Sequence, residues 1–211
     1  MFDYILESLQ AGGWVLFPIV ATSVIGWYLG LKLLLEIHAM SLHSRKLQRK
    51  VKYPTPLIQW LDDLPKKERN TMPAVVLSHL WEVRAGGEKA MLEALDEELR
   101  FFQPRLEKGL STIGAMGAAA PLLGLLGTVS GMVGTFRTIS VFGAGNPALM
   151  ADSIAEALVT TQNGLLAALP LMILHNFLYN RSVKLEKDTL KSAQRLINHI
   201  VHRNMNARLR L

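Results

Sequence analysis

The alternation of apolar and polar positions divides this chain before any motif is considered. Three largely apolar runs, about Gly13 to Leu35, Ile113 to Phe136 and Ile154 to Tyr179, each reach the ~20 residues that a helix needs to cross a bilayer. Residues 1–10 are too short to span. There Phe2, Ile5, Leu6 and Leu9 share one helical face while Asp3 and Glu7 lie elsewhere on the turn, which predicts a short helix resting on the membrane surface. Ala74 to Arg84 predicts a short helix stopped by Gly86-Gly87. From Glu88, apolar residues at Leu92, Leu95, Leu99, Phe102, Leu106 and Ile113 keep a three-to-four spacing and predict one long helix that runs into the second apolar stretch. Pro104 is a candidate kink, but the stripe resumes in register after it. The tail from Arg181 has its apolar period at Val183, Leu190, Ile197 and Val201, which predicts a charged helix packed on that long one.

Composition sharpens this picture. Half of the 211 residues are hydrophobic and the mean hydropathy is +0.22, so a purely soluble fold is strained and an integral membrane protein fits. The net charge of +6 could suggest nucleic acid, but its placement argues otherwise. Of the 23 Lys and Arg, thirteen lie between the first and second runs and eight follow the third. By the positive-inside rule those regions are cytoplasmic and the N-terminus is outside. The basic balance is topological, and nucleic acid is not an expected partner. The expected organisation is all-α: a surface helix at 1–12, transmembrane helices at 13–36, 111–137 and 153–180, a cytoplasmic helical domain at 37–110, an outer loop at 138–152 and a cytoplasmic C-terminal helix at 181–211. Residues 1–13 lack the basic start of a signal peptide, so the first span is expected to be retained. The basic run Arg45, Lys46, Arg49, Lys50 and Lys52 suits anionic headgroups just inside the membrane, and Tyr53-Pro-Thr-Pro56 should end that helix.

Candidate chemistry is sparse. With no cysteine, thiolate catalysis and thiolate metal sites are excluded. His199 and His202 stand at i and i+3 but no further ligand accompanies them, and no catalytic triad, phosphate loop or zinc motif occurs. No cofactor, metal or catalytic residue is expected. The acidic Asp96, Glu97 and Glu98 read as a solvated helix face, with pairing to a neighbouring subunit as the alternative.

What remains lies inside the apolar runs. The second carries Gly124, Gly127 and Gly131, small residues at spacings that let helices approach closely. Thr128, Gly131 and Thr135 share a face. Their hydroxyls either form a polar stripe or bond back to their own helix. The third run places Glu156, Thr160, Asn163, Ala167 and Pro170 on one face, with Thr161 some 140° away from Glu156, so two polar faces should meet two different neighbours. A carboxylate within such a helix belongs in a bundle interior or an ion path, unless it sits at the headgroup end. Pro170 should free a carbonyl that other protein can satisfy.

Pro121-Leu-Leu-Gly-Leu-Leu-Gly-Thr-Val-Ser-Gly-Met132, the loop Phe142-Gly-Ala-Gly-Asn-Pro147 and the stretch from Glu156 to Pro170 closely resemble the ExbB/TolQ/MotA family of bacterial inner-membrane motor subunits, the ExbB branch most of all. The resemblance is strong over about 105–182. It implies a homo-oligomer, a pentamer, whose second and third helices line a pore occupied by single-pass ExbD-like subunits, with a TonB-like protein as the further partner and the outer loop in the periplasm. It also implies proton passage that uses an aspartate of the ExbD-like subunit. Thr128, Glu156 and Thr161 match the pore-lining polar positions, with Thr160 and Asn163 as neighbouring polar groups and Gly124, Gly127, Gly131 and Pro170 as packing positions. Gln162, Asn163 and Ser130 depart from what many ExbB chains carry. Three function classes stay open: a proton-conducting motor subunit, a non-conducting membrane scaffold, and an enzyme using Glu156 as a base.

Overall fold

The computed structural model describes residues 12–50, 65, 69–143 and 147–208. All regular structure among them is helical: α1 (Leu16–Lys50), α2 (Met72–Glu82), a 3-10 turn (Val83–Gly86), α3 (Gly87–Phe142) and α4 (Pro147–Arg208). The surface helix expected at residues 1–12 and the break at Tyr53–Pro56 fall outside the described residues, apart from Gly12. α2 begins where Pro73 has its preset φ and no N–H to leave unpaired. The 3-10 turn ends at Gly87, whose φ of +83° suits glycine alone, and α3 starts there. α3 passes through Pro104 and α4 through Pro170 without interruption.

The chain divides into two compact units, and α1, α3 and α4 each contribute to both. The first comprises the described parts of Met1–Lys32 together with Gly109–Phe177; the second comprises those of Leu33–Lys108 and Leu178–Leu211.

The second unit has a conventional core. Met72, Ala74, Val76, Leu77 and Leu80 of α2 bury against Met91, Ala94 and Leu95 of α3 and Ala193, Leu196, Ile197 and Ile200 of α4. The tail thus packs on the long helix, with α2 completing the core. Of the tail's expected period Ile197 is buried and Leu190 and Val201 pack on this core, but Val183 is only half-buried and a second buried line on α4 runs through Leu178, Ser182, Leu185, Thr189, Ser192 and Leu196. Hydroxyl residues take core places because Thr189 donates to the Leu185 carbonyl and Ser192 to that of Asp188, both at 2.8 Å, so neither buries an unsatisfied group. Likewise Met91 and not Leu92 points inward; Leu92 is 49% exposed. Asp96 and Glu97 are exposed, as a solvated face requires, but two of the three acidic residues also have partners within the chain. Arg100 Nε donates to Asp96 at 2.8 Å, and Glu98, half-buried, meets His79 Nδ1 of α2 at 2.9 Å. Glu98 is therefore a tie between α2 and α3 and not part of a solvated face.

The first unit is built on the opposite plan. Its α3 seam is Leu110, Gly117, Gly124 and Gly131, interleaved with Ile113, Ala120 and Gly127, all buried. Each set repeats every seven residues, the spacing that keeps one face turned to a partner helix. The large apolar side chains point outward: Leu122, Leu125, Phe136, Leu158, Leu166 and Leu169 are all more than half exposed. α1, α3 and α4 each contain a stretch long and apolar enough to cross a membrane, and no more than 28% of the most apolar part of each is buried.

Candidate functional site

The polar residues of the apolar runs meet in the first unit, and the glycines decide where. Gly124 lies so close to α4 that an added methyl group would come within 3.1 Å of Thr161 Cα and 3.2 Å of the Thr160 carbonyl oxygen. The Thr160 side chain fills the place a Gly127 side chain would take. Gly131 is crowded by the Ser153 carbonyl and Ala157, and Gly164 faces Ala120 and Gly124 from the other helix. The backbones of α3 and α4 can approach this closely because both seams are small there.

Such proximity makes Thr161 a bridge. Its Oγ1 lies 3.1 Å from the Gly124 carbonyl of α3 and 3.1 Å from the Ala157 carbonyl of its own helix. The hydroxyls of Thr128, Thr135 and Thr160 turn back on their own helices. Thr128 donates to Leu125 at 2.7 Å, Thr135 to Gly131 at 3.0 Å, and Thr160 reaches both Glu156 and Ala157 carbonyls at 3.0 and 2.9 Å. Asn163 Nδ2 donates to the Val159 carbonyl at 2.8 Å. Of the two readings of the Thr128–Thr135 stripe, the back-bonded one therefore describes these hydroxyls, which satisfies them without a neighbour.

The expectation that Glu156 and Thr160 share one neighbour fails. Thr160 is fully buried against Gly127 of α3, whereas the half-buried Glu156 reaches Gly13 in the turn before α1. The wheel angle separates these two residues by little, but seam residues in contact are set by the closest backbone approach, and that brings Thr160 and Thr161 together onto α3. Leu171, on the same helix, packs against Gly26 of α1, and Leu174 against Gly30. This Gly26-x-x-x-Gly30 pair is a small-xxx-small signal in the first apolar run, fainter than the glycine-rich second one. Ala167 and Leu123 complete an apolar cluster with Val15, Leu16 and Ile19.

The arrangement has no group of three or more His, Asp or Glu gathered for a metal among the described residues. What it offers is a set of threonine hydroxyls and the Glu156 carboxylate among apolar helices. Hydroxyls both donate and accept, so they can order water or pass a proton to a carboxylate.

Comparison with known proteins agrees with the motifs in this region. Residues 67–190 match the family described as the MotA/TolQ/ExbB proton channel family. An ExbB homologue among biopolymer transport proteins, from Methanothermobacter thermautotrophicus, is 26% identical over 209 aligned positions, which cover 93% of this chain and 70% of that one. The biopolymer transport protein ExbB of Pseudomonas putida is 29% identical over 152 positions, 68% of this chain and 46% of its own. The Tol-Pal system protein TolQ of Pseudomonas aeruginosa is 36% identical over 100 positions, 47% and 42% of the two chains. The chain thus spans less than half the length of the two Pseudomonas relatives it matches. With more than half of its residues inside the family match and three helices apolar enough to span, this chain is a membrane protein that belongs to the MotA/TolQ/ExbB proton channel family.

Proposed function

We propose that the chain is an ExbB-like subunit of an inner-membrane proton-driven motor. It works with a single-pass ExbD-like partner and uses the proton motive force to energise TonB-dependent transport across the outer membrane. The observation that carries this reading is Thr161, a hydroxyl bridging α3 and α4 inside the family-matched segment, with Glu156 five residues before it. Thr128, Glu156 and Thr161 are the polar groups assigned to the pore, with Asn163 beside them. Thr160 is assigned to packing because it is fully buried. Five copies forming the pore, an N-terminus in the periplasm and a C-terminus in the cytoplasm complete the reading. The orientation rests on the Lys and Arg bias: cysteines introduced at Gln10 and Asn146 should be labelled from outside, and those at Asp63 and Asn206 only after permeabilisation.

A second reading, a TolQ-like envelope motor subunit, is favoured by the 36% identity to the Pseudomonas TolQ. The two differ in which partner is energised and not in the chemistry of the pore.

The deciding experiment reconstitutes the chain with its co-purified single-pass partner in liposomes. Thr161→Ala should abolish partner-dependent proton flux while leaving the complex assembled, and Glu156→Gln, which keeps size and removes charge, should cause a large loss as well. If both variants carry protons as the parent does, at normal protein levels, the third span is packing and the chain is a scaffold.

A further inference from the structure

The neighbour of Glu156 is a glycine that no motif singled out. Before α1 the chain makes a turn over residues 12–15, in which the Leu16 N–H donates to the Gly13 carbonyl at 3.4 Å. Gly13 has φ +56°, a conformation that side chains with a Cβ disfavour. The place its Cβ would occupy is taken by the Glu156 carboxylate. Oε1 overlaps that position, Cδ would lie 2.6 Å from it and Cγ 3.3 Å. The turn cannot easily retreat, since Val15, Leu16 and Ile19 are buried immediately after it against Leu123 and Ala167.

We propose that Gly13 is a positioning residue for Glu156. By lacking a side chain it leaves a notch in the turn before α1; the carboxyl group enters this notch, and the rim of the notch sets the direction in which Glu156 presents it. The N-terminal turn then belongs to the functional site and does more than anchor α1. This deepens the reading that Glu156 serves the proton path and rests on it for its functional meaning.

Gly13→Ala alone would mix two effects, backbone strain at φ +56° and collision with Glu156, and a double-mutant cycle separates them. Glu156→Asp retains the carboxylate but withdraws it by one methylene, out of the notch. Two readouts serve: modification of residue 156 by dicyclohexylcarbodiimide in phospholipid vesicles, followed by peptide mass spectrometry, and proton flux of the complex with its co-purified partner. With Glu156 in place, Gly13→Ala should speed the modification and cut the flux, each by roughly tenfold, a size that coupling between touching groups commonly reaches. With Glu156→Asp, the same change at residue 13 should alter either readout by less than about twofold. Equal ratios in the two backgrounds would mean strain alone and would overturn the proposal. If the Gly13→Ala chain fails to accumulate, the double variant Gly13→Ala/Glu156→Asp must accumulate, and its absence would overturn the proposal too. A parent complex that carries no protons, with modification ratios that still differ between backgrounds, would remove the proton-motor reading and uphold the positioning role.

Discussion

α3 and α4 contribute to both units, and they are packed inside out in one relative to the other. In the second unit large residues such as Met91, Leu95 and Leu196 are buried, while Glu93, Asp96, Glu97 and Arg100 are exposed. In the first the buried positions are Gly117, Ala120, Gly124, Gly127, Gly131 and Gly164, and the exposed ones Leu125, Val129, Phe136, Leu158 and Leu165. The reason lies in what surrounds each unit. In water, burying a large apolar side chain contributes roughly 1.5–3 kcal/mol, so size goes inward. Among lipid tails a leucine gains little by leaving one apolar medium for another, and association depends on close backbone approach and on hydrogen bonds between helices. Small residues then take the seam and large ones face outward. A surface this apolar could not persist in water.

The largest effects should come from putting the wrong size on the wrong side of that comparison. Gly127→Leu demands space that Thr160 occupies. It should cost about 3 kcal/mol or more, seen as loss of the folded chain in detergent by limited proteolysis and thermal unfolding. Because Gly127 faces α4 of its own chain, the subunit should fail before its assembly does. The glycines therefore give no separate argument for an oligomer. In the second unit the rule reverses: Leu196→Ala removes a fully buried side chain and should cost about 3 kcal/mol. Leu165→Ala, at a position 56% exposed in the first unit, should stay within about 0.5 kcal/mol in detergent. Comparable losses for Leu196→Ala and Leu165→Ala would break the contrast between the units.

That contrast also explains what could be read from the sequence. The three apolar runs, the stop at Gly86-Gly87 and the long helix from there were legible, because length, hydropathy and glycine punctuation are local properties. Which residues form the seams was legible in part: Leu95, Ile113 and Ile197 are buried as their period predicts, and so are Gly124, Gly127 and Gly131. A search for apolar periodicity weights Leu92 and Val183, yet Met91 is the buried neighbour of the first, and Ser182, Thr189 and Ser192 carry the line that Val183 was expected to carry. Hydroxyl residues bonded to their own helix behave as small core residues, and no hydropathy scale marks them so. The candidate site was legible residue by residue, through Thr128, Glu156 and Thr161, but its pairings were not. Gly124 with Thr161, Gly127 with Thr160 and Gly13 with Glu156 join positions far apart in the chain, and wheel angles on one helix do not say which neighbour each will meet.

Two threonines refine the comparison at its smallest scale. The Thr161 hydroxyl is shared between the Gly124 carbonyl of α3 and the Ala157 carbonyl of its own helix, both at 3.1 Å, whereas Thr189, buried in the second unit, donates to Leu185 one turn back on its own helix at 2.8 Å. Thr161→Val keeps the β-branched shape and deletes the hydroxyl that reaches the Gly124 carbonyl of α3, so it should lower stability by about 1 kcal/mol, measured by denaturant titration in detergent. Thr189→Val deletes only a bond to a carbonyl that remains in the helix ladder. Its cost should stay within about 0.5 kcal/mol, and a small gain is the other expected outcome. Should Thr189→Val prove the more damaging of the two, hydroxyls in the second unit are more than fillers of its seam. The division between a unit held by close backbones and bridging hydroxyls and one held by large buried side chains would then not hold at its polar positions.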